Sequence, residues 1–202
     1  MACVPLFKEH RRWGGEVRTS RDEHTVAEGT VYVSGEIPRV TPYEGGLLGG
    51  MRFREERGWT SEPHLMDERY AAIDIAGKGL VIFSACSHAG IVNVVKDAVQ
   101  KLVRPVYMVI GGLHLAGPEL VPRIPRTVNF LANELRPAPT YVLPMHCSGC
   151  QSKIALERAL GEGCVPAGVG IKVEIRGDRE GDRDYSLPYL QPTSPDTKPS
   201  IW

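Results

Sequence analysis

The segment Leu80-Val81-Ile82-Phe83-Ser84-Ala85-Cys86-Ser87-His88-Ala89-Gly90 decides the fold, because it joins a short apolar run to two potential metal ligands. Residues 80–83 are aliphatic or aromatic and too few for a helix, so they predict a buried strand. Cys86 and His88 follow directly, just past the carboxyl end of that strand. In open α/β sheets, this is the end of the strands at which ligands bind.

Two further apolar runs are followed by the same kind of residue. Val106–Ile110 precedes His114, and Tyr141–Leu143 precedes His146. Neutral imidazole and thiolate are good zinc ligands, so three such strand ends predict one metal site. Its predicted ligands are Cys86, His88, His114 and His146.

Each candidate ligand also has an ordinary structural interpretation. A histidine at a strand end is more often a hydrogen-bonded loop residue than a ligand, and a free cysteine is commonly a small buried hydrophobe. The coincidence of three histidines after three predicted strands favours the metal site. The histidines that follow no such strand are His10, His24 and His64.

The spacing Cys147-x-x-Cys150 leaves a different chemistry open. Two cysteines at this spacing form a redox pair or half of a structural zinc site, but the chain offers a poor second half for such a site. The pair precedes a helix predicted from Ser152, and a thiolate is stabilised at a helix N-terminus. A redox role is therefore an alternative to the metal site. A haem attachment motif is excluded, because its histidine follows the second cysteine.

Hydrophobic periodicity predicts an α/β layer architecture. Besides the three strands above, the predicted strands are Thr30–Val33, Ala71–Ile75 and a final edge strand, Ile171–Ile175. The predicted helices are Ile91–Leu102, Ile124–Leu135 and Ser152–Leu160. The glycine-rich residues 45–50 lack the lysine and the following helix of a phosphate loop, so they predict a flexible loop.

Composition divides the chain into three segments. Residues 1–28 are charged and aperiodic and predict a poorly ordered leader, whereas residues 29–176 predict the structured domain. Residues 177–202 are rich in Gly, Asp, Arg, Pro and Ser and predict a disordered tail. At 202 residues, the chain is long enough to bury a core.

Charge and cysteine content exclude several classes of protein. The 24 basic residues balance the 24 acidic ones, which argues against a nucleic-acid or membrane partner. No apolar stretch is long enough to span a bilayer, and the N-terminus does not resemble a signal peptide. An odd number of cysteines, five, is unusual for a disulfide framework. We therefore expect a cytoplasmic protein with reduced cysteines.

Five motifs occur in order along residues 29–175. They are Val33-Ser34-Gly35-Glu36-Ile37-Pro38-Arg39, Asp67-Glu68, Ala85-Cys86-Ser87-His88-Ala89-Gly90-Ile91-Val92-Asn93, Ile110-Gly111-Gly112-Leu113-His114-Leu115 and Pro144-Met145-His146-Cys147-Ser148-Gly149. Taken together, they resemble the metallo-β-lactamase-fold family of dihydropterin ribofuranosylaminobenzene phosphate synthases.

The resemblance implies an αββα sandwich with a divalent metal at one rim, zinc before manganese or iron. It also implies a small-molecule substrate, phosphorylated or pterin-like. His88 and His146 lie in the most family-like motifs and would complete the family's metal shell, with Cys86 or His114 as further ligands. The family's early His-x-His-x-Asp-His motif is absent, because no histidine here is followed two residues later by another. The chain therefore resembles the C-terminal half of the family's domain.

Two functions follow from this partial resemblance. One is a metal-dependent hydrolase or synthase that is impaired without the missing motif, and the other is a non-catalytic truncated remnant or interaction module. Half a sandwich exposes an apolar sheet face, so we expect self-association or a partner chain that covers it.

The residues that would act on a substrate stay unassigned. The aspartate that would orient the attacking water belongs to the missing motif. Glu36 and Arg39 either contact an anionic substrate or form an ion pair that fixes their loop. Asp67 and Glu68 either support the metal ligands or form a solvated pair before a strand, which is the simpler interpretation.

Overall fold

The computed structural model describes residues 12, 14, 16, 18–47 and 49–178. Its strands are β1 His24–Val26, β2 Val31–Val33, β3 Met51–Arg54, β4 Gly58–Ser61, β5 Tyr70–Ile75, β6 Gly79–Ser84, β7 Val106–Gly112 and β8 Tyr141–Met145. Its α-helices in residues 18–178 are α1 Ile91–Leu102, α2 Ile124–Asn129, which continues as a π-helical turn over Phe130–Glu134, and α3 Cys150–Leu160. Short 3₁₀ helices cover Val121–Arg123, His146–Ser148 and Gly161–Gly163. The predicted alternation of strands and helices is confirmed from β5 to α3.

One sheet carries the potential ligands, with the strand order β1-β2-β5-β6-β7-β8. Strands β6, β7 and β8 are parallel to each other, whereas β1, β2 and β5 pair antiparallel with their neighbours. Because parallel strands end at the same edge, the loops after β6, β7 and β8 share one rim of the sheet. Strands β3 and β4 form a separate hairpin.

The main core lies between this sheet and the helices. The apolar face of α1 repeats at helical spacing and is fully buried against the sheet face formed by alternate residues of β6, β7 and β8. The buried residues of that helix include Ile91, Val94, Val95, Ala98 and Leu102. Burying each isoleucine, valine or leucine side chain among them stabilises the fold by about 1.5–3 kcal/mol.

The opposite face of the sheet is apolar and only partly covered. Val81, Met108 and Leu143 form a small buried cluster there, and Val165 and Ile175 pack against it. Phe83 shares the strand and the parity of Val81, and 39% of its surface is exposed.

The first turn of α1 is capped from the loop before the hairpin. Gly90 precedes the helix and has no side chain for this purpose, but the buried Glu44 carboxylate accepts hydrogen bonds from Val92 N and Asn93 N, both at 3.0 Å. A Cβ on Gly90 would lie 2.3 Å from the Glu44 carboxyl group, so the approach requires glycine. Burial raises the pKa of Glu44. The cap fixes the start of the helix that follows His88.

The predicted edge strand at Ile171–Ile175 is wrong. Residues 171–178 have no regular secondary structure. The free edge of β8 pairs instead with a segment that precedes residue 171, because Val165 N donates a hydrogen bond to Val142 O at 2.9 Å. The chain then crosses the apolar face of the sheet, which half-buries Ile175. Of the three alternating residues, only Ile175 packs on this face, whereas 54% of Ile171 and 43% of Val173 is exposed.

The structure adds elements that the sequence pattern does not predict. Residues 24–26, within the predicted leader, pair with β2. The β3–β4 hairpin is largely exposed, and each of its strands has only four residues, although Met51-Arg52-Phe53-Arg54 alternates between apolar and charged residues. Half of the predicted leader, namely residues 1–11, 13, 15 and 17, and the predicted tail beyond Asp178 lie outside the described residues. Among the described residues, no helix combines the length and apolarity that a bilayer crossing requires.

Candidate metal centre

The three loops at the rim share an uncommon backbone conformation. Ser87, His114 and His146 have φ values of 60°, 51° and 48°, in the left-handed region that residues other than glycine rarely adopt. Such conformations persist only where the surrounding structure enforces them, and they cluster at functional sites. The rim therefore fixes the direction of each of these side chains.

Hydrogen bonds hold the three loops together. The Ser87 hydroxyl donates to Gly112 O at 2.5 Å, which joins the loop after β6 to β7. Leu113 N donates to Ser148 Oγ at 3.1 Å, and the Cys147 carbonyl accepts two further N–H groups from the loop after β7. These bonds preorganise the rim, because no loop can move without breaking contacts to another.

Glu68 stabilises the loop after β6 by accepting hydrogen bonds from its backbone. Its carboxylate accepts hydrogen bonds from Cys86 N at 3.2 Å, from Ser87 N and from Ala89 N at 3.1 Å. Only 8% of Glu68 is exposed, so the simpler interpretation of a solvated pair is wrong for this residue. Asp67 is exposed, and its Oδ1 lies 3.4 Å from His88 Nδ1.

Cys86, His146 and Cys147 form a group that we call the thiol cluster. Their potential ligand atoms all lie within 4.8 Å of one another. His146 Nε2 is 3.0 Å from Cys86 Sγ, and Cys147 Sγ is 3.7 Å from Cys86 Sγ. Burial, together with the neighbouring Cys147 thiol, raises the pKa of Cys86 to about 12. A metal bound here would therefore displace a proton from that thiol.

His88 and His114 form a second group, the histidine pair. Their ring centroids are 5.1 Å apart and the rings meet edge to face. His114 is only 7% exposed, and its buried Nε2 has no hydrogen-bond partner among the described residues. Burial and the adjacent His88 lower the pKa of His114 to about 4. The imidazole is therefore neutral at pH 7, which is the form that binds a metal.

The four ligands predicted from the sequence thus lie in loops of one rim, divided between the two groups. Cys86 belongs to the thiol cluster with His146, and His88 pairs with His114. The ligand set predicted from the sequence leaves out Cys147, which is considered there only as half of a pair with Cys150, although it directly follows His146. Its proximity to Cys150 in the chain suggested a local pair, yet Cys150 lies outside the thiol cluster and is exposed.

The donors present fit a divalent metal of the zinc type. Thiol sulfur and imidazole nitrogen are the ligands that zinc prefers in proteins. The unpartnered Nε2 of His114 is a second indication, because buried polar atoms are rarely left without a partner.

The low pKa of His114 predicts how stability depends on pH. The folded chain binds fewer protons here than the unfolded chain, whose histidine has a pKa near 6.5. Stability is therefore expected to fall by up to about 3 kcal/mol as the pH drops from about 6.5 to about 4. Urea unfolding of the chelator-treated protein across this range measures the effect. His114→Asn, which tolerates the left-handed backbone, should flatten the profile, and an unchanged profile in this variant would assign the pH dependence to other groups.

Comparison with solved structures gives a match over most of the chain. The structure matches Tm1679, described as a metal-dependent hydrolase of the β-lactamase superfamily, with a TM-score of 0.64 and 24% sequence identity. The match covers 81% of this chain and 59% of Tm1679. This chain has the metallo-β-lactamase fold. The fold class predicted from the sequence, part of a metallo-β-lactamase-like sandwich, is confirmed.

Curated proteins include two relatives of this metallo-β-lactamase-fold chain, both from Methanocaldococcus jannaschii. The 7,8-dihydropterin-6-methyl-4-(beta-D-ribofuranosyl)-aminobenzene-5'-phosphate synthase is 34% identical over 113 residues, covering 54% of this chain and 37% of the synthase. The uncharacterized protein MJ0448 is 27% identical over 132 residues, covering 63% of this chain and 44% of that protein. The chain thus spans less than half of each relative. No family model matches it. The resemblance to the synthase family is confirmed.

Proposed function

We propose that this chain carries metal ligands of a metal-dependent hydrolase or synthase of the metallo-β-lactamase fold. The observation that supports the proposal most directly is the thiol cluster, whose three potential ligand atoms lie within 4.8 Å of one another. The cluster lies past the carboxyl ends of parallel strands, which is where α/β proteins bind their ligands. The histidine pair, in loops of the same rim, adds a neutral imidazole.

Each side chain has a role that follows from its surroundings. Cys86, His146 and Cys147 would hold the metal, which when bound supplies a Lewis acid and lowers the pKa of a bound water. The Asp67 carboxylate near His88 Nδ1 favours the tautomer protonated on that nitrogen, which leaves Nε2 as a proton acceptor. Glu68 acts only through the backbone of the first loop, so we assign it a positioning role.

The donor set also bears on the choice of metal. Soft thiolate ligands favour zinc over manganese, which prefers carboxylate and water oxygen. We therefore propose zinc as the metal, with iron and manganese as weaker competitors. The substrate class, a small phosphorylated or pterin-like molecule, is proposed from the name of the synthase relative.

Metal binding and turnover test this proposal in the purified full chain. After chelation and dialysis against zinc, manganese or iron(II), elemental analysis should find zinc retained preferentially, below one ion per chain. Hydrolysis of bis-p-nitrophenyl phosphate should be weak or absent, because the His-x-His-x-Asp-His motif of the family does not occur in this sequence. A chain that retains none of the three metals contradicts the proposal.

A second role, as an interaction module, is favoured by the partly covered sheet face. We expect the chain to self-associate through this face, since exposed apolar patches mark association surfaces. Light scattering with size-exclusion chromatography should find a dimer or larger species, and Phe83→Arg should shift it to monomer. Val121→Arg is the matched control, because Val121 lies beside α2 and is 38% exposed against 39% for Phe83. A wild-type monomer at all concentrations contradicts this role.

A further inference from the structure

We infer that Cys86 and Cys147 form a reversible disulfide bond when the thiol cluster holds no metal. Their Sγ atoms are 3.7 Å apart, and both residues are partly exposed. They are 61 positions apart in the chain, and the bond would covalently join the loops after β6 and β8 across the intervening β7. The consequence for metal binding rests on the proposed function, whereas the disulfide itself does not.

Gly112, on the intervening strand, makes the approach of the two sulfur atoms possible. A Cβ at this position would lie 2.8 Å from Cys147 Sγ and 3.2 Å from the Cys86 Cα. A side chain there would clash with the Cys147 thiol and with Ala85 O, so at least one of them would have to shift. The lack of a Cβ at Gly112 therefore leaves room for the contact between the two cysteines.

The sequence suggests a different partner for Cys147. The spacing Cys147-x-x-Cys150 is that of a local redox pair. Cys150, however, is the first residue of α3, is exposed and lies outside the thiol cluster. Cys164 is buried and its Sγ faces a backbone carbonyl. The geometry thus selects Cys86, the distant partner in sequence, for Cys147.

A low-molecular-weight disulfide such as oxidised glutathione supplies the oxidising equivalents. One protein thiolate attacks a sulfur atom of the reagent, which forms a mixed disulfide and releases one thiolate. The second cysteine then attacks the protein sulfur of the mixed disulfide, forms the Cys86–Cys147 bond and releases the second thiolate. The two protein thiol protons pass to the two released thiolates, so the protein loses two hydrogens and the reagent gains them.

The disulfide and the metal compete for the same sulfur atoms. Oxidation consumes both thiols and leaves His146 as the remaining donor of the thiol cluster. A single imidazole holds zinc poorly, because zinc sites in proteins need three or four ligands. Bound zinc should conversely protect both thiols from oxidation.

Peptide mapping tests the bond in the chelator-treated full chain. The protein is equilibrated with oxidised glutathione, alkylated with N-ethylmaleimide and digested with trypsin. We expect a cross-link between the tryptic peptides 79–96 and 127–153, the first with Cys86 and the second with both Cys147 and Cys150. Cys147→Ser should abolish the cross-link, and the matched control Cys150→Ser should retain it.

Two outcomes would overturn the inference: a bond within peptide 127–153 between Cys147 and Cys150, or glutathione adducts without any cross-link. Preloading the protein with zinc distinguishes failure of the disulfide inference from failure of the proposed metal site. A cross-link in the chelated protein that zinc suppresses supports both. A cross-link that forms equally with and without zinc supports the disulfide and contradicts the metal ligands.

Discussion

Replacing Glu68 with alanine is expected to lower the free energy of unfolding by about 3–5 kcal/mol. The buried carboxylate accepts three backbone N–H groups of the loop after β6, and its removal leaves them unpaired. Each unsatisfied buried donor costs about 1–3 kcal/mol, partly offset where water enters the cavity. Urea unfolding followed by circular dichroism measures the change. Because this loop carries Cys86, metal retention should fall as well.

Two variants separate the effect of the Glu68 carboxylate from that of the adjacent residue Asp67. Glu68→Gln keeps one acceptor oxygen and should lose less stability than Glu68→Ala. Asp67→Ala alters the exposed neighbour and should change stability by less than about 0.5 kcal/mol. Equal losses in Glu68→Ala and Asp67→Ala would show that the three backbone contacts do not hold the loop.

Substituting His146 with alanine is expected to weaken zinc binding by at least about 100-fold. His146 supplies the imidazole of the thiol cluster, and its Nε2 lies 3.0 Å from Cys86 Sγ. Loss of a supporting residue around a metal ligand already costs about 10–100-fold in affinity, so loss of a ligand should cost at least as much. Competition with a chromogenic chelator measures the affinity directly.

The control for this prediction is another exposed histidine. His64 lies outside the rim, so His64→Ala should bind zinc like the unsubstituted chain. If His146→Ala and His64→Ala retain equal zinc, His146 is an ordinary loop residue. Comparable unfolding transitions in both variants would show that any difference in metal arises at the site and not from loss of the fold.

Local patterns predict the part of the fold in which each element has a clear periodicity. Helix α1 and the parallel strands β6, β7 and β8 are long or apolar enough to be recognised, and their order implies a shared rim. Pairing partners that depend on distant residues are not visible in this way. Strand β1 has three residues and forms only because β2 offers a free edge. Residues 171–175 alternate like a strand, but only Ile175 packs on the sheet.

The same limit applies to the site. Strand ends identify Cys86, His88, His114 and His146, but their division into two groups depends on loop geometry. Cys147 has a near neighbour in sequence, Cys150, that obscures its spatial neighbour. The contact between Cys147 Sγ and Cys86 Sγ becomes visible only in the structure, where the two loops meet beside Gly112.

The left-handed backbone conformations at the rim lower stability, but the histidines that adopt them supply potential metal ligands. Glycine at position 114 or 146 would relieve a conformation that costs other residues about 1 kcal/mol or more. It would also remove an imidazole from the rim. A laboratory selection for thermal stability alone should therefore enrich glycine or asparagine at these two positions. The selected proteins would be more stable but would have fewer imidazole donors at the rim. Engineers who wish to stabilise this scaffold should restrict their libraries to positions away from the three loops.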